Sequence, residues 1–283
     1  VKTGTIRRIS NFHSPYVTDR YIDVWLPEGY NNNEKYAVLY MHDGQMLFDS
    51  TITWNKQSWH VADVADSLMR HTKIQKFIVV GIWNDSKTRH ADYFPQKPFE
   101  QLTAAQKEII SSSLNAAGRI TSSFQPNSDN YLSCIVKEIK PMIDTMYAVY
   151  TDAAHTFMAG SSMGGLISCY AICEYPQIFG GVACMSTHWP GIFTNEHNPI
   201  PNVILEYLNV NLPDPKTHKL YFDCGDQTLD SLYPGIQKKV NRLVSKRGYK
   251  KRAFIYRFFQ GENHSEKAWS KRLFIPIEFL LSK

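Results

Sequence analysis

The sequence predicts an α/β protein with one mostly parallel, eight-stranded, doubly wound sheet, helices on both faces and an antiparallel N-terminal strand. Two continuous apolar runs, at 36–41 and 77–83, are typical of strands that are covered on both faces. Segments with apolar residues at helical spacing separate most of the later strand-like runs, as expected when helices connect parallel strands. The first two segments, 5–12 and 21–27, instead alternate apolar and polar residues, which indicates half-buried strands in a hairpin.

The remaining elements follow the same patterns along the chain. Further strands are predicted from Phe157 into a Gly-x-Ser-x-Gly sequence and at 181–186, 219–224 and 253–259. Helices are predicted at 59–69, 103–114, 131–147, 166–175, 232–246 and 265–281. A kink is expected at Pro141, inside the helix at 131–147. The polar excursion at 84–128 is predicted to be an inserted cap or a pocket rim, because connections of this length are usually functional. No repeat, linker or composition break divides residues 1–283, so we expect a single domain.

Composition limits the classes of function. The net charge is only +5, and its densest basic patch, at 246–252, lacks interleaved aromatic residues, so we expect no nucleic-acid partner. No apolar run is long enough for a membrane span. The five cysteines have no repeating spacing, which favours free buried thiols. The sequence does not indicate a compartment; it begins at Val1, which is compatible with earlier removal of an export signal.

The motif that carries the chemistry is Gly-Ser-Ser-Met-Gly at 160–164, between a predicted strand and a predicted helix. Strand, sharp turn and helix together form the context of a nucleophile elbow. Ser162 has a glycine two positions away on each side and is therefore the predicted nucleophile. Gly160 and Gly164 are predicted at positions where the neighbouring backbone passes too close for a β-carbon.

A serine hydroxyl needs a base within hydrogen-bonding reach. His264 follows the last predicted strand, so it lies at the same sheet edge as Ser162 and in the chain order that this type of fold uses. His188 is the main rival because it also follows a strand. We interpret His264 as the base and expect His188, with Trp189 and Trp83, to contact the substrate.

The acid that would orient the imidazole is expected on the loop after the strand at 219–224. Both Asp226 and Asp230 lie on this loop, and each could instead cap a turn or a helix. Asp230 ranks slightly ahead of Asp226, and the choice stays open at this point.

An oxyanion hole requires two backbone N–H groups that point at the developing negative charge. One is predicted to be the amide of Met163, which follows the nucleophile and opens a helix. The other is predicted to be the amide of Gln45, after the strand that ends near His42. No metal-ligand spacing, phosphate loop or dinucleotide fingerprint is present in the sequence, so we expect no metal and no cofactor.

Three segments of the chain, taken in order, resemble the esterase family that is related to esterase D. This family includes feruloyl and acetylxylan esterases, enterochelin esterases and mycolyltransferases. The resemblance runs over nearly the whole chain. Its motifs are LYMHDGQ at 39–45, GSSMGG at 160–165 and GENH at 261–264.

The resemblance implies an α/β-hydrolase fold with Ser162 and His264 as catalytic residues. It also implies that the amides of Gln45 and Met163 form the oxyanion hole. One departure concerns the acid, which many relatives carry three residues after the glycine that ends its strand. Thr228 occupies that position here, so the resemblance does not identify the acid.

The expected substrate is a small-molecule or oligosaccharide ester. With the resemblance, our first hypothesis is a carbohydrate esterase that removes feruloyl or acetyl groups through an acyl-enzyme. A siderophore esterase of the enterochelin type is a second hypothesis, because Lys87, Arg89 and His90 would supply a cationic pocket for an anionic chelate. An acyltransferase, or a catalytically silent binding module of the same fold, would also be compatible with these motifs.

Overall fold

The computed structural model describes residues 1–121 and 123–282, and eight of its strands form one sheet. The strands are β1 (Thr5–Phe12), β2 (Arg20–Leu26), β3 (Ala37–His42), β4 (Phe77–Ile82), β5 (Thr156–Ser161), β6 (Gly181–Met185), β7 (Lys219–Cys224) and β8 (Phe254–Phe258). Their order across the sheet is β1-β2-β4-β3-β5-β6-β7-β8. β1 pairs antiparallel with β2, and β2 antiparallel with β4, whereas all later neighbours are parallel. The predicted mostly parallel sheet with an antiparallel N-terminal edge is confirmed.

Helices connect these strands. Within the described residues they are α1 (Val61–His71), α2 (Arg89–Tyr93), α3 (Gln96–Glu100), α4 (Ala104–Ala116), α5 (Ser128–Cys134), α6 (Lys140–Met146), α7 (Met163–Glu174), α8 (Ile200–Asn211), α9 (Pro234–Lys246), α10 (Glu266–Arg272) and α11 (Phe274–Leu281). Single 3₁₀ turns occur at Gly44–Met46, Ala153–His155 and Thr228–Leu232. No helix in these ranges has both the length and the apolar character that crossing a bilayer requires.

Alternate residues of the central strands supply two separate apolar cores. On β3, Val38 and Tyr40 face one core, and Leu39 and Met41 face the other. The first core is closed by α5, α7, α8 and α9, and the second by α1, α10 and α11. This arrangement confirms helices on both faces, and it explains why the central strands are continuously apolar in sequence.

Two predicted helices are interrupted, and proline has a part in both. The helix expected at 131–147 is α5 and α6 joined by a π-helical turn at Ile135–Ile139, and Pro141 is the second residue of α6. Pro141 has no N–H to donate to the preceding turn, which accounts for the local widening of the helix there; the kink expected at Pro141 stays a prediction. The helix expected at 265–281 breaks at Leu273, and Pro276 lies in the first turn of α11, where its missing N–H costs nothing.

The excursion at 84–128 packs onto the first core. Phe94, Phe99 and Phe124 are buried and meet edge to face, with ring centroids 5.1 to 5.7 Å apart. The Arg20 guanidinium on β2 forms a buried ion pair with Asp92 of α2. The excursion is therefore fixed to the body of the protein. A cap or rim role for it, like the single-domain organisation, stays a prediction.

Candidate active site

Ser162 lies on the turn between β5 and α7, with φ 58° and ψ −123°. A non-glycine residue rarely adopts these angles, and such strained residues concentrate at functional sites. A β-carbon on Gly160 would lie 2.6 Å from the carbonyl of Gly164, so the tight turn requires glycine there. A β-carbon on Gly164 would meet only ordinary contacts, the nearest at 3.4 Å from His42 Cβ. The prediction of crowding is thus right for Gly160 and wrong for Gly164.

His264 lies on the loop between β8 and α10, and its ring is paired with Asp230. The distance from His264 Nδ1 to Asp230 Oδ1 is 2.6 Å. An ionised carboxylate only accepts hydrogen bonds, so Nδ1 carries the proton and Nε2 is the acceptor nitrogen. The Asp230 side chain is fully buried, whereas 14% of the His264 side chain is exposed. The Nδ1 side of the imidazole is therefore held by a buried carboxylate, while another part of the ring remains accessible.

Asp226 does not contact the imidazole. Its Oδ1 accepts the backbone N–H of Gly261 at 2.8 Å, which ties the two loops together. Thr228, at the position where many relatives have the acid, accepts the backbone N–H of His264 at 3.0 Å. Of the two carboxylates that the sequence left open, the structure brings Asp230 to the histidine and gives Asp226 a loop-bracing position.

The environment keeps Asp230 ionised. Burial is the largest single influence and acts to raise the pKa of Asp230, while the hydrogen bond from His264, and the charge of its imidazole when protonated, act to lower it. Two further donors, the Ser186 hydroxyl and the backbone N–H of Gly225, act in the same direction. The pKa of Asp230 therefore lies below its ordinary value, and the site holds a carboxylate that can stabilise an imidazolium.

His188 and Tyr233 lie beside the nucleophile. The backbone N–H of His188 donates to the Ser162 carbonyl at 3.0 Å, and the His188 Nδ1 and Tyr233 hydroxyl are 2.8 Å apart. Burial raises the pKa of Tyr233 well above its usual value, and the Ser162 side chain opposes this as a hydrogen-bonding neighbour. Burial lowers the pKa of His188 well below its usual value, so this ring is neutral. Tyr233 was missed from the sequence; its only signal is its position three residues after Asp230.

The turn that holds Gln45 follows Asp43, whose carboxylate lies near the start of α7: a β-carbon on Gly164 would be 3.5 Å from Asp43 Oδ2. Gly44 begins a 3₁₀ turn after β3, and a β-carbon there would lie 2.7 Å from the Gly81 backbone on β4. Gln45 follows in this turn, and Met163 is the first residue of α7. The first amides of a helical turn have no acceptor within it, which leaves such N–H groups available to an anion.

Asp43 supports this turn from an unusual backbone conformation. It is left-handed, with φ 58°, and its carboxylate accepts two hydrogen bonds of 2.7 Å from the Arg89 guanidinium. Asn84 Nδ2 also donates to Asp43, at 2.7 Å, and the backbone N–H of Asn84 donates to the Gln45 side chain. Sequence analysis did not find these contacts, because they join the turn to a distant part of the excursion.

Two of the residues predicted to contact substrate have other positions. Trp189 is fully buried, and its indole N–H donates to Gln237 at 2.7 Å, so it belongs to the core. Trp83 donates its indole N–H to Asp23 at 2.8 Å, and the Arg8 guanidinium stacks over its ring at 4.6 Å. The expectation for Trp189 is corrected, since its ring is fully buried in the core; a substrate contact of His188, whose residue exposure is 1%, stays a prediction. The Trp83 ring lies next to Gly44, but its polar contacts are with Asp23 and Arg8 at the β1–β2 edge of the sheet.

Comparison with known proteins identifies the family. The family described as "Putative esterase" matches residues 16–275 of this chain. The chain therefore belongs to this esterase family, and the resemblance seen in the three motifs is confirmed.

Individual relatives agree with this assignment. An endo-1,4-beta-xylanase/feruloyl esterase of Xylanibacter ruminicola is 25% identical over 288 residues, which cover 96% of this chain but only 31% of that protein. The CE1 ferulic acid esterase of Anaeromyces mucronatus superposes with a TM-score of 0.66 at 19% identity, covering 99% of this chain and 92% of that one. The enterobactin esterase FES of Shigella flexneri gives a TM-score of 0.65 at 17% identity, covering 98% and 58%. These structures share the α/β-hydrolase fold with this chain.

Proposed function

We propose that this protein is a serine carboxylic-ester hydrolase that acts through an acyl-enzyme, with Ser162 as nucleophile and His264 as general base. Asp230 orients the imidazole in this proposal. The observation that carries it is the 2.6 Å bond from His264 Nδ1 to the buried Asp230. The Tyr233 ring, whose hydroxyl has the Ser162 side chain as a hydrogen-bonding neighbour, lies 5.8 Å from the His264 ring, and Ser162 itself is on a strained strand–helix turn. Family membership supports the ester as the bond that is cleaved.

The proposed reaction has two halves. His264 Nε2 takes the hydroxyl proton as Ser162 Oγ attacks the ester carbonyl, and the amides of Met163 and Gln45 stabilise the oxyanion. The imidazolium then gives its proton to the departing alcohol, which leaves an acyl-Ser162. Water, deprotonated by the same imidazole, attacks the acyl-enzyme, and collapse of the second oxyanion releases the acid and restores Ser162.

For the substrate we propose an acylated carbohydrate that carries feruloyl or acetyl groups. The names of the relatives support this class, since ferulic acid esterases are among the matching structures and the Xylanibacter relative includes a feruloyl esterase. The siderophore hypothesis depended on Lys87, Arg89 and His90 as free cations. Arg89 is paired with Asp43, and His90 bonds the Gly191 carbonyl with its pKa lowered by burial to about 4. This weakens the cationic pocket that a ferric chelate would need.

The nucleophile is tested by Ser162→Ala, with Ser161→Ala as the matched control. Ser161 is the preceding residue, and it is also buried. With p-nitrophenyl acetate, we expect Ser162→Ala to lose activity by about 10³-fold or more, and a fluorophosphonate probe no longer to label it. Ser161→Ala should keep its activity on p-nitrophenyl acetate and its labelling by the probe. If Ser162→Ala keeps most of its turnover, the proposed mechanism is wrong.

The substrate class is tested by comparing kcat/KM for methyl ferulate, acetylated xylan and ferric enterobactin. We expect one of the first two to be preferred. Preference for the ferric chelate would favour a siderophore esterase. Probe labelling without hydrolysis of any ester would favour acyl transfer, and absence of labelling would favour a binding module.

A further inference from the structure

A buried polar cluster lies behind Asp230, on the side away from His264. Its members are Ser186, directly after β6; Asp223, on β7; and Trp269 and Arg272, on α10. All four side chains are almost fully buried, with residue exposures of 0 to 4%. Polar groups this deep are costly unless they are paired, so their arrangement has to be accounted for.

The hydrogen bonds fix the direction of the Ser186 hydroxyl. Ser186 Oγ accepts from Trp269 Nε1 at 3.0 Å and from Arg272 Nη2 at 2.9 Å, and both of these nitrogens are donors only. Its own proton must therefore point to the third neighbour, Asp230 Oδ2, at 2.6 Å. The backbone N–H of Gly225 donates to the same oxygen at 2.6 Å. One carboxylate oxygen is thus held by two donors, which leaves Oδ1 for His264.

The backbone at Ser186 indicates that its hydroxyl is needed there. Ser186 has φ 41°, in the left-handed region that favours glycine. Its backbone N–H donates to Asp223 Oδ1 at 3.0 Å, and Arg272 Nη2 donates to the same oxygen at 3.0 Å. A glycine at position 186 would adopt this positive φ with less strain, but it would leave the Arg272 and Trp269 side chains without the hydroxyl oxygen to which both donate.

The charges in this cluster match the proposed reaction. Asp230 and Asp223 carry two negative charges and Arg272 one positive charge, so the buried group is one negative charge in excess while His264 is neutral. It becomes neutral overall when the imidazole accepts the Ser162 proton. Burial raises the pKa of Asp223 above its usual value, and Arg272 opposes this shift. A cluster balanced for the imidazolium stabilises the charged intermediate more than the resting state.

We propose that Ser186 and Arg272 are positioning residues that aim Asp230 at His264 through the Ser186 hydroxyl. This inference rests on the proposed function. Arg272 does not touch Asp230: it fixes the Ser186 oxygen, and its remaining guanidinium face lies 4.6 Å from the Phe259 ring centroid. These hydrogen bonds form a relay that runs from Arg272 to Ser186, then to Asp230 and His264.

The test compares Ser186→Gly and Ser186→Ala with Thr187→Val. Both Ser186 variants lose the hydroxyl, but glycine also relieves the positive φ, so Ser186→Gly should have the higher melting temperature of the two. Thr187→Val removes the neighbouring buried hydroxyl, which bonds the Cys184 carbonyl instead of the acid. Activity is expressed per site that a fluorophosphonate probe titrates, so that unfolded protein does not count.

For Ser186→Gly we expect kcat per titrated site to fall about 10- to 100-fold, with KM nearly unchanged. The acid limb of the kcat/KM profile should move to higher pH by about half a unit, because a carboxylate with fewer donors attracts the imidazolium more strongly. The other titratable or charged groups near this pair, present equally in all three variants, are Asp223, Arg272, Tyr233, His188 and Cys224. Thr187→Val should keep the wild-type kcat and profile.

A purely structural role for Ser186 would reduce the number of titrated sites but leave kcat per site and the acid limb unchanged. That result would overturn the inference. The proposed function fails separately, if Ser162→Ala stays active. If Thr187→Val shifts the acid limb as much as Ser186→Gly does, the relay is also wrong, because the effect would not be specific to Asp230.

Discussion

At the scale of single residues, the loop after β7 gives its two aspartates different tasks. Asp230 reaches the imidazole, and Asp226 bonds the backbone of Gly261. Asp230→Asn should therefore lower kcat by about 10²- to 10⁴-fold, because the amide no longer holds the required tautomer and cannot stabilise the imidazolium. Steady-state kinetics on p-nitrophenyl acetate measure this.

Asp226→Asn is the matched control for that substitution. Its amide keeps an oxygen that can accept from Gly261, so we expect kcat within about twofold of the wild type. Equal losses in the two variants would mean that loop integrity, rather than a carboxylate at His264, limits turnover.

The positions of Ser162 and His264, each on a loop or turn at the end of a strand, could be predicted because each depends on local sequence. The glycines around Ser162 and the position of His264 after the last strand are visible without a structure. The choice between Asp226 and Asp230 was not, since it depends on how the loop turns at Thr228, where φ is 55°. Ser186 was also missed, because its partners come from α10, more than 80 residues away in sequence.

At the scale of elements, the excursion supports the turn that carries Gln45 through an ion pair and through hydrogen bonds from Asn84. Arg89 of α2 makes two hydrogen bonds to Asp43, which is held in a left-handed conformation next to the turn that carries Gln45. Burial acts to raise the pKa of Asp43, but the charge and hydrogen bonds of Arg89 lower it below its usual value. The pair therefore stays ionised and holds the turn in place.

Arg89→Lys should loosen this support while keeping the charge. A lysine ammonium is a point donor and cannot reproduce the two-pronged contact. We expect kcat on p-nitrophenyl acetate to fall by about tenfold, as the Gln45 amide loses its fixed direction. Lys87→Ala, an exposed change on the same excursion, is the control and should have no effect. Wild-type kcat in Arg89→Lys would show that the turn does not depend on this contact.

The elements differ in how well sequence predicts them. The central strands were predicted within one or two residues, because burial on both faces makes them continuously apolar. α8 was missed: Pro201 in its first turn resembles a helix breaker, although proline is well tolerated at that position. The interruption of the last helix at Leu273 was also missed, although Pro276 lies three residues further on.

At the scale of the whole molecule, burial of neutral histidines makes folding sensitive to mild acid. Burial lowers the pKa of His42 to about 3 and of His90 to about 4, and it lowers that of His188 well below its usual value. Below pH about 6.5 the unfolded chain protonates these rings while the folded protein does not. The unfolded state then binds more protons, so the free energy of unfolding falls as pH falls from about 6.5 towards the folded pKa values.

His42→Gln should remove one part of this dependence. His42 is buried beneath the start of α7, and its Nδ1 is 2.7 Å from the Tyr131 hydroxyl, a partner that a glutamine amide can also bond. From pH 7 to pH 5, His42 should account for about 2 kcal/mol of lost stability, at about 1.4 kcal/mol per pH unit below 6.5. Urea unfolding of the wild type and the variant at both pH values measures the difference.

His197→Gln is the matched control, because the His197 side chain is 88% exposed. Its free energy of unfolding should show the same pH dependence as the wild type. If His42→Gln loses as much stability between pH 7 and pH 5 as the wild type does, His42 is not the buried neutral ring that the structure describes. The acid sensitivity would then have to come from the other two buried rings, His90 and His188.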